Sequence, residues 1–257
     1  MKATIPKVKF KVAKPREIIP LINYFVNPKK SDWDWSNQIF NKYPELKKKL
    51  SKVKDKERRK KITKVFFEKQ QKKELKTLNN VREKFQKAWD EINDEVMIAL
   101  SEIVGQKWPK NAEKITARIS LNPICPRYIK SRTFDIYYKS SIDTLKAISI
   151  HEIFHFIYFE KWKKLFPKTP EKKFNFPYLV WALSEMVPPI VLSNEKIQKI
   201  HEHKSHPYQE HVKMEVDGKC IFIDLIEFYK KRKSFDDFLR KSWKFLNKHN
   251  DVVKGKL

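Results

Sequence analysis

Residues Ala147 to Trp162 read AISIHEIFHFIYFEKW. A run this apolar must be covered by the rest of the fold, yet it carries His151, Glu152 and His155. Imidazole and carboxylate are expensive to bury without partners. No proline or glycine breaks the run, and Ser140 or Ser141 stands ahead of it as an N-cap, so a helix is expected from there to about Leu165. Positions four apart share a helix face, so His151 and His155 project together. Glu152 is turned about 100° from His151. Two readings satisfy the trio: hydrogen bonds in an ordinary core, or one cation that collects the two rings. Imidazole nitrogens at this spacing can hold a zinc ion. Glu152, beside it, can take a proton from a water held there and pass it to a leaving amine.

The chain of 257 residues suits one large domain or a core with an added subdomain, and 40% hydrophobic residues are enough to bury a sizeable interior. No window approaches the roughly 18 uninterrupted apolar residues of a membrane span. The start, MKATIPKVKFKVAKPREIIP, is basic but has no continuous apolar stretch, so no secretory signal is read and a cytoplasmic location is expected. Cys125 and Cys220 make no disulfide framework and read as two reduced thiols. The net charge of +26 favours anionic partners such as nucleic acid, acidic protein or anionic lipid, or else lysines spread over solvated faces.

KVKFKV (Lys7–Val12) alternates and reads as a short edge strand, followed by an apolar element, REIIPLINYFV, interrupted by Pro20. SDWDWSNQIFNKYPELKKKL reads as helix capped by Ser31 and broken near Pro44. Lys47–Lys76 is dense in charge and reads as an exposed helix or helical hairpin. From Asn79 to Val104 apolar residues recur at three and four, which predicts one long amphipathic helix. KITARISL (Lys114–Leu121) and RTFDIYYK (Arg132–Lys139) alternate as strands, joined by a turn-prone NPICPRY linker. YLVWALSEMV (Tyr178–Val187) reads as a buried helix stopped by Pro188 and Pro189, and Ser234 with Asp237 as the start of a final helix.

HEIFH is the HExxH signature, and on it the chain resembles the zincin metallopeptidases. That resemblance implies a strand just upstream that receives an extended substrate as an added strand, which RTFDIYYK would supply around Phe134–Tyr138. It also implies a long backing helix, which Asn79–Val104 resembles. Tyr158 and Lys161 stand where metzincins carry glycine and a third histidine. The gluzincin branch instead takes a glutamate from a downstream helix. Glu185 is the sole acid of Tyr178–Val187, where a carboxylate without a partner would be costly. The resemblance therefore implies one Zn2+ ion held by His151, His155 and Glu185, with Glu152 as the catalytic base. It further implies an oxyanion-stabilising Tyr or His downstream, for which Tyr208 or His206 in the His201–His211 segment stands ready, and acids that orient the zinc histidines, with Asp143 as one candidate.

The fold class expected is α+β and zincin-like. It is mostly helical, with a small mixed or antiparallel sheet next to the HExxH helix and an N-terminal helical extension (1–78) before the peptidase domain (79–257). The partner expected is a peptide or protein substrate. The competing reading is a basic nucleic-acid-binding protein with a structural or vestigial zinc site, using Lys47–Lys76 with Phe66 and Phe67 for phosphate contact and stacking. A protease acting on nucleic-acid-bound proteins would combine the two.

Overall fold

The computed structural model describes residues 5–27, 35–202 and 207–255. In chain order the elements are β1 (Lys7–Val12), α1 (Pro15–Val26), α2 (Ser36–Lys42), α3 (Pro44–Leu50), α4 (Lys56–Asp90), α5 (Asn93–Val104), β2 (Lys114–Ser120), β3 (Arg127–Tyr128) and β4 (Thr133–Tyr137). There follow α6 (Ile142–Leu165), α7 (Leu179–Val191), α8 (Glu195–Ile200), α9 (Gln209–Val212), β5 (Glu215–Val216), β6 (Lys219–Cys220), α10 (Ile221–Lys230), α11 (Phe235–Lys248) and α12 (Asn250–Lys254). The class is α+β: mostly helical, with a mixed four-stranded sheet in the order β1-β2-β4-β3 and a two-stranded β5-β6 sheet. Among the described residues no helix is long and apolar enough to cross a membrane. The chain forms two compact units, Lys7–Glu91 with Lys114–Ser149, and Met1–Pro6 with Ile92–Glu113 and Ile150–Leu257.

In the sheet unit the alternation of KVKFKV is used as written: Val8 and Phe10 are buried while Lys7, Lys9 and Lys11 face out. β1 is the edge strand and pairs in parallel with β2, Val8 opposite Ile115 and Phe10 opposite Ala117. Its outer edge is closed by side-chain amides of α4. Phe10 N–H donates to Gln86 Oε1 at 2.9 Å, and Gln86 Nε2 donates to the Val8 carbonyl at 3.0 Å. Gln71 Nε2 donates to the Ala13 carbonyl at 3.2 Å. These bonds replace the missing neighbour strand. Arg59, buried on α4, does the same for helix ends. Its guanidinium donates to the carbonyls of Val26 (2.5 Å) and Leu50 (2.7 Å), at the C-termini of α1 and α3.

The sheet also holds a buried ion cluster. Arg118 on β2 lies in register with Asp135 on β4, and its Nε donates to Asp135 Oδ1 at 2.5 Å. Glu17 Oε1 is 3.4 Å from the same guanidinium, which stacks over the Tyr128 ring at 4.6 Å. Burial pushes the Asp135 carboxyl up to about 6, against the pull of Arg118.

Several expectations need correction. The helix expected across Asn79–Val104 is two helices: α4 ends at Asp90 and α5 starts at Asn93. Buried Asn93 donates to the Pro6 carbonyl at 3.0 Å, a long-range bond that local periodicity cannot show. α7 does not stop at Pro188 and Pro189 but runs to Val191, because burial of nearly every residue outweighs the lost backbone bonds. α1 likewise runs uninterrupted through exposed Pro20. The NPICPRY linker folds back as β3, antiparallel to β4 at Thr133 and Phe134, and Asp135 N–H donates to the Pro126 carbonyl at 3.0 Å. With β2 on its other side, β4 is an interior strand over Thr133–Asp135, and that stretch is closed to an added strand. The proposed boundary at residue 78 falls inside α4, and the Ser31 cap lies outside the described residues.

The helical unit is organised on α6. Ser141 Oγ accepts from Thr144 N–H at 3.1 Å and caps its start. From Ile150 onward Ile153, Phe154, Ile157, Tyr158, Phe159 and Trp162 are fully buried, so the helix is enclosed on several faces. Lys161 is buried too. Its Nζ donates to the Gly105 carbonyl at 2.8 Å and pairs with Asp236 at 2.7 Å, tying α6 to the end of α5 and to α11. Gly105 takes φ +59° to close α5, the left-handed conformation that glycine adopts at least cost. α11 starts as expected, Ser234 Oγ accepting from Asp237 N–H at 3.1 Å.

Candidate metal centre

The helical spacing brings the two rings of α6 together: His151 Nε2 and His155 Nε2 are 3.0 Å apart. α7 brings Glu185 Oε2 to 3.7 Å from the first and 3.8 Å from the second. One ligand atom from each of the three lies within 4.8 Å of the others. Ligand atoms about 2.0–2.1 Å from a tetrahedral ion stand about 3.4 Å apart, which the observed triangle brackets. A hydrogen bond between the two Nε2 atoms would use one lone pair. A shared cation would use both, together with the Glu185 charge. Two nitrogens and one carboxylate oxygen are a donor set suited to zinc. Among the described residues no other group of three His, Cys, Asp or Glu side chains gathers in this way.

Packing sets the geometry. His155 is fully buried, its ring stacked near Phe159 with centroids 6.4 Å apart and planes 23° apart. Phe159 is itself backed by Phe174 at 4.5 Å. Glu185 is 3% exposed in a helix whose other residues are all uncharged. His151 keeps 22% of its side chain exposed, so the group is reachable from solvent on that side.

The remaining residues singled out in the sequence fall differently. Glu152 is largely buried and follows His151 on α6. Tyr208 is 37% exposed at the start of α9, its ring 5.4 Å from that of His211. His206 lies outside the described residues. Asp143 is exposed in the first turn of α6, two turns before His151, and is not placed to orient a ligand ring.

His211 is a residue that the sequence offers within the same histidine-rich segment but ranks behind Tyr208 and His206. It is fully buried. Burial pushes its pKa down to about 4, and the nearby charge of Glu185 pulls the other way. With its pKa near 4, His211 is a neutral imidazole at pH 7, and it feels the charge of Glu185. Charged neighbours, Glu210 and Lys213, hid its burial in the sequence.

No protein-family model, curated protein or solved structure matches the chain. The reading of this centre therefore stands on its geometry and donor chemistry.

Proposed function

We propose that the chain is a zinc-dependent peptidase of zincin-like, gluzincin type, with His151, His155 and Glu185 as the ion's protein ligands. The observation that supports it most is the arrival of Glu185, from a separate helix, at both histidine nitrogens. Bound zinc supplies a Lewis acid and makes water acidic near neutral pH. The residues of the chain do the rest. The two imidazoles would hold the ion through Nε2, and the Glu185 carboxylate would offset part of its charge. Glu152 accepts the proton of the attacking water on a carboxylate oxygen and delivers it to the leaving amine nitrogen. A neutral His211 can offer a ring N–H to the carbonyl oxygen as it gains charge, with the Tyr208 hydroxyl and His206 as the other candidates for that role.

The test is Glu152→Gln. The variant should bind one zinc ion like the wild type by metal analysis, and cleavage of a peptide library should fall by about 10²–10⁴-fold. Full activity in that variant overturns the proton-transfer assignment. Undiminished zinc content in Glu185→Ala overturns the ligand assignment.

A further inference from the structure

We infer that the solvent face of α4 is a binding surface for double-stranded nucleic acid, reached through its phosphates. This reading is independent of the metal centre. α4 has 35 residues, and it turns Arg59, Thr63, Phe66, Phe67, Leu78, Phe85 and Trp89 inward. On the opposite side Arg58, Lys61, Lys69, Lys72 and Lys76 are all exposed. At 100° per residue these five fall within an arc of about 80° that runs about 27 Å along the helix. Val65 is the only other residue in that arc, so no acid interrupts it. None of the five is in an ion pair with a described acid. The ion pairs on α4 lie outside the row, Lys60 with Glu57 and Lys64 with Glu68 on its flank and Arg82 with Glu83 beyond its end at Lys76. Some basic residues elsewhere are matched locally, as Lys219 is by Asp224 and Glu227, and Lys241 by Asp237.

A row of unneutralised cations at this spacing suits a partner that presents a regular line of negative charge. Duplex nucleic acid does so, with about one charge per 1.7 Å of axis. The aromatic residues decide between nucleic-acid forms. Phe66, Phe67, Phe85 and Trp89 are 8%, 0%, 4% and 0% exposed, so α4 has no aromatic platform on which unpaired bases could stack. The stacking expected of Phe66 and Phe67 is therefore not available. A membrane surface is disfavoured as well, because Val65 and Leu75 are the only large apolar side chains exposed on α4 and form no face for insertion.

The test uses the full chain and a fluorescently labelled 25-base-pair DNA duplex, the matching single strand and phosphatidylserine vesicles. Duplex binding should be sequence-independent, and its log–log salt slope should be about −4 to −5 if five phosphates are neutralised. Reversing Lys61, Lys69, Lys72 and Lys76 to Glu should weaken it at least 100-fold at ~0.15 M salt while circular dichroism stays unchanged. The control carries the same charge change at exposed Lys199, Lys230, Lys244 and Lys248, and should lose less than a tenth as much affinity. Equal loss in both variants would show unspecific net charge and overturn the assignment. So would single strand bound as tightly as duplex, or vesicles bound where duplex is not.

Discussion

In the sheet unit Arg118 faces Asp135 at 2.5 Å, with Glu17 3.4 Å from the same guanidinium; in the helical unit two imidazoles and the Glu185 carboxylate meet within 4.8 Å. Both groups are mostly buried and both draw on two or more elements. The first carries its own cation, so the protein alone balances it. The second is made of electron-pair donors, and an ion brought from outside would complete it. Burial alone does not mark a functional site. The sign and donor type of the buried groups separate a structural pair from a centre that can take a ligand.

The largest expected effect breaks the sheet cluster. Arg118→Met strands Asp135 in the interior and should cost about 3–5 kcal/mol in urea unfolding, whether or not zinc is present. Next comes metal addition. Zinc at about 100 times its Kd should stabilise the wild type by about 2.7 kcal/mol, and His155→Ala should abolish that gain while Arg118→Met keeps it. If zinc stabilised the His155→Ala variant equally, the contrast between the two clusters would be lost.

pH should move the two units in opposite directions. Asp135 holds its proton more tightly folded than unfolded, so its contribution is full below about pH 4 and declines as pH rises through about 6. His211 holds its proton less tightly when folded, so its contribution is full above about pH 6.5 and declines as pH falls toward 4. Thermal unfolding from pH 4 to 7 should show the first trend vanish in Asp135→Asn and the second in His211→Gln. The smallest effects are the helix caps: Ser141→Ala and Ser234→Ala should each cost about 1 kcal/mol by denaturant unfolding, one at the start of the HExxH helix and one at α11.

Much of the centre was legible locally. The spacing of His151 and His155 acts within one helical turn, and Glu185 announced itself as the lone acid in an apolar helix. The strands β1, β2 and β4 were legible from alternation, and the caps Ser141 and Ser234 from bonds that reach three residues. Less was legible wherever the deciding partner is far along the chain. The break between α4 and α5 leaves the apolar rhythm unchanged on both sides, so period counting passes over it. β3 is two residues long and exists because β4 pairs with it. Alternation puts Arg118 and Asp135 on a polar face and cannot say that the face is covered.

By itself, then, the order of residues determined which side chains share a helix face, where helices start, and that a polar trio had to be accommodated inside an apolar segment. Only the tertiary structure decided that Glu185 reaches both imidazoles, that His211 is buried within reach of its charge, that α7 runs through two prolines, and that β4 is flanked on both sides. The reason is one of range. Periodicity and capping act over three to four residues, whereas desolvation and ion pairing depend on which distant segments cover a site.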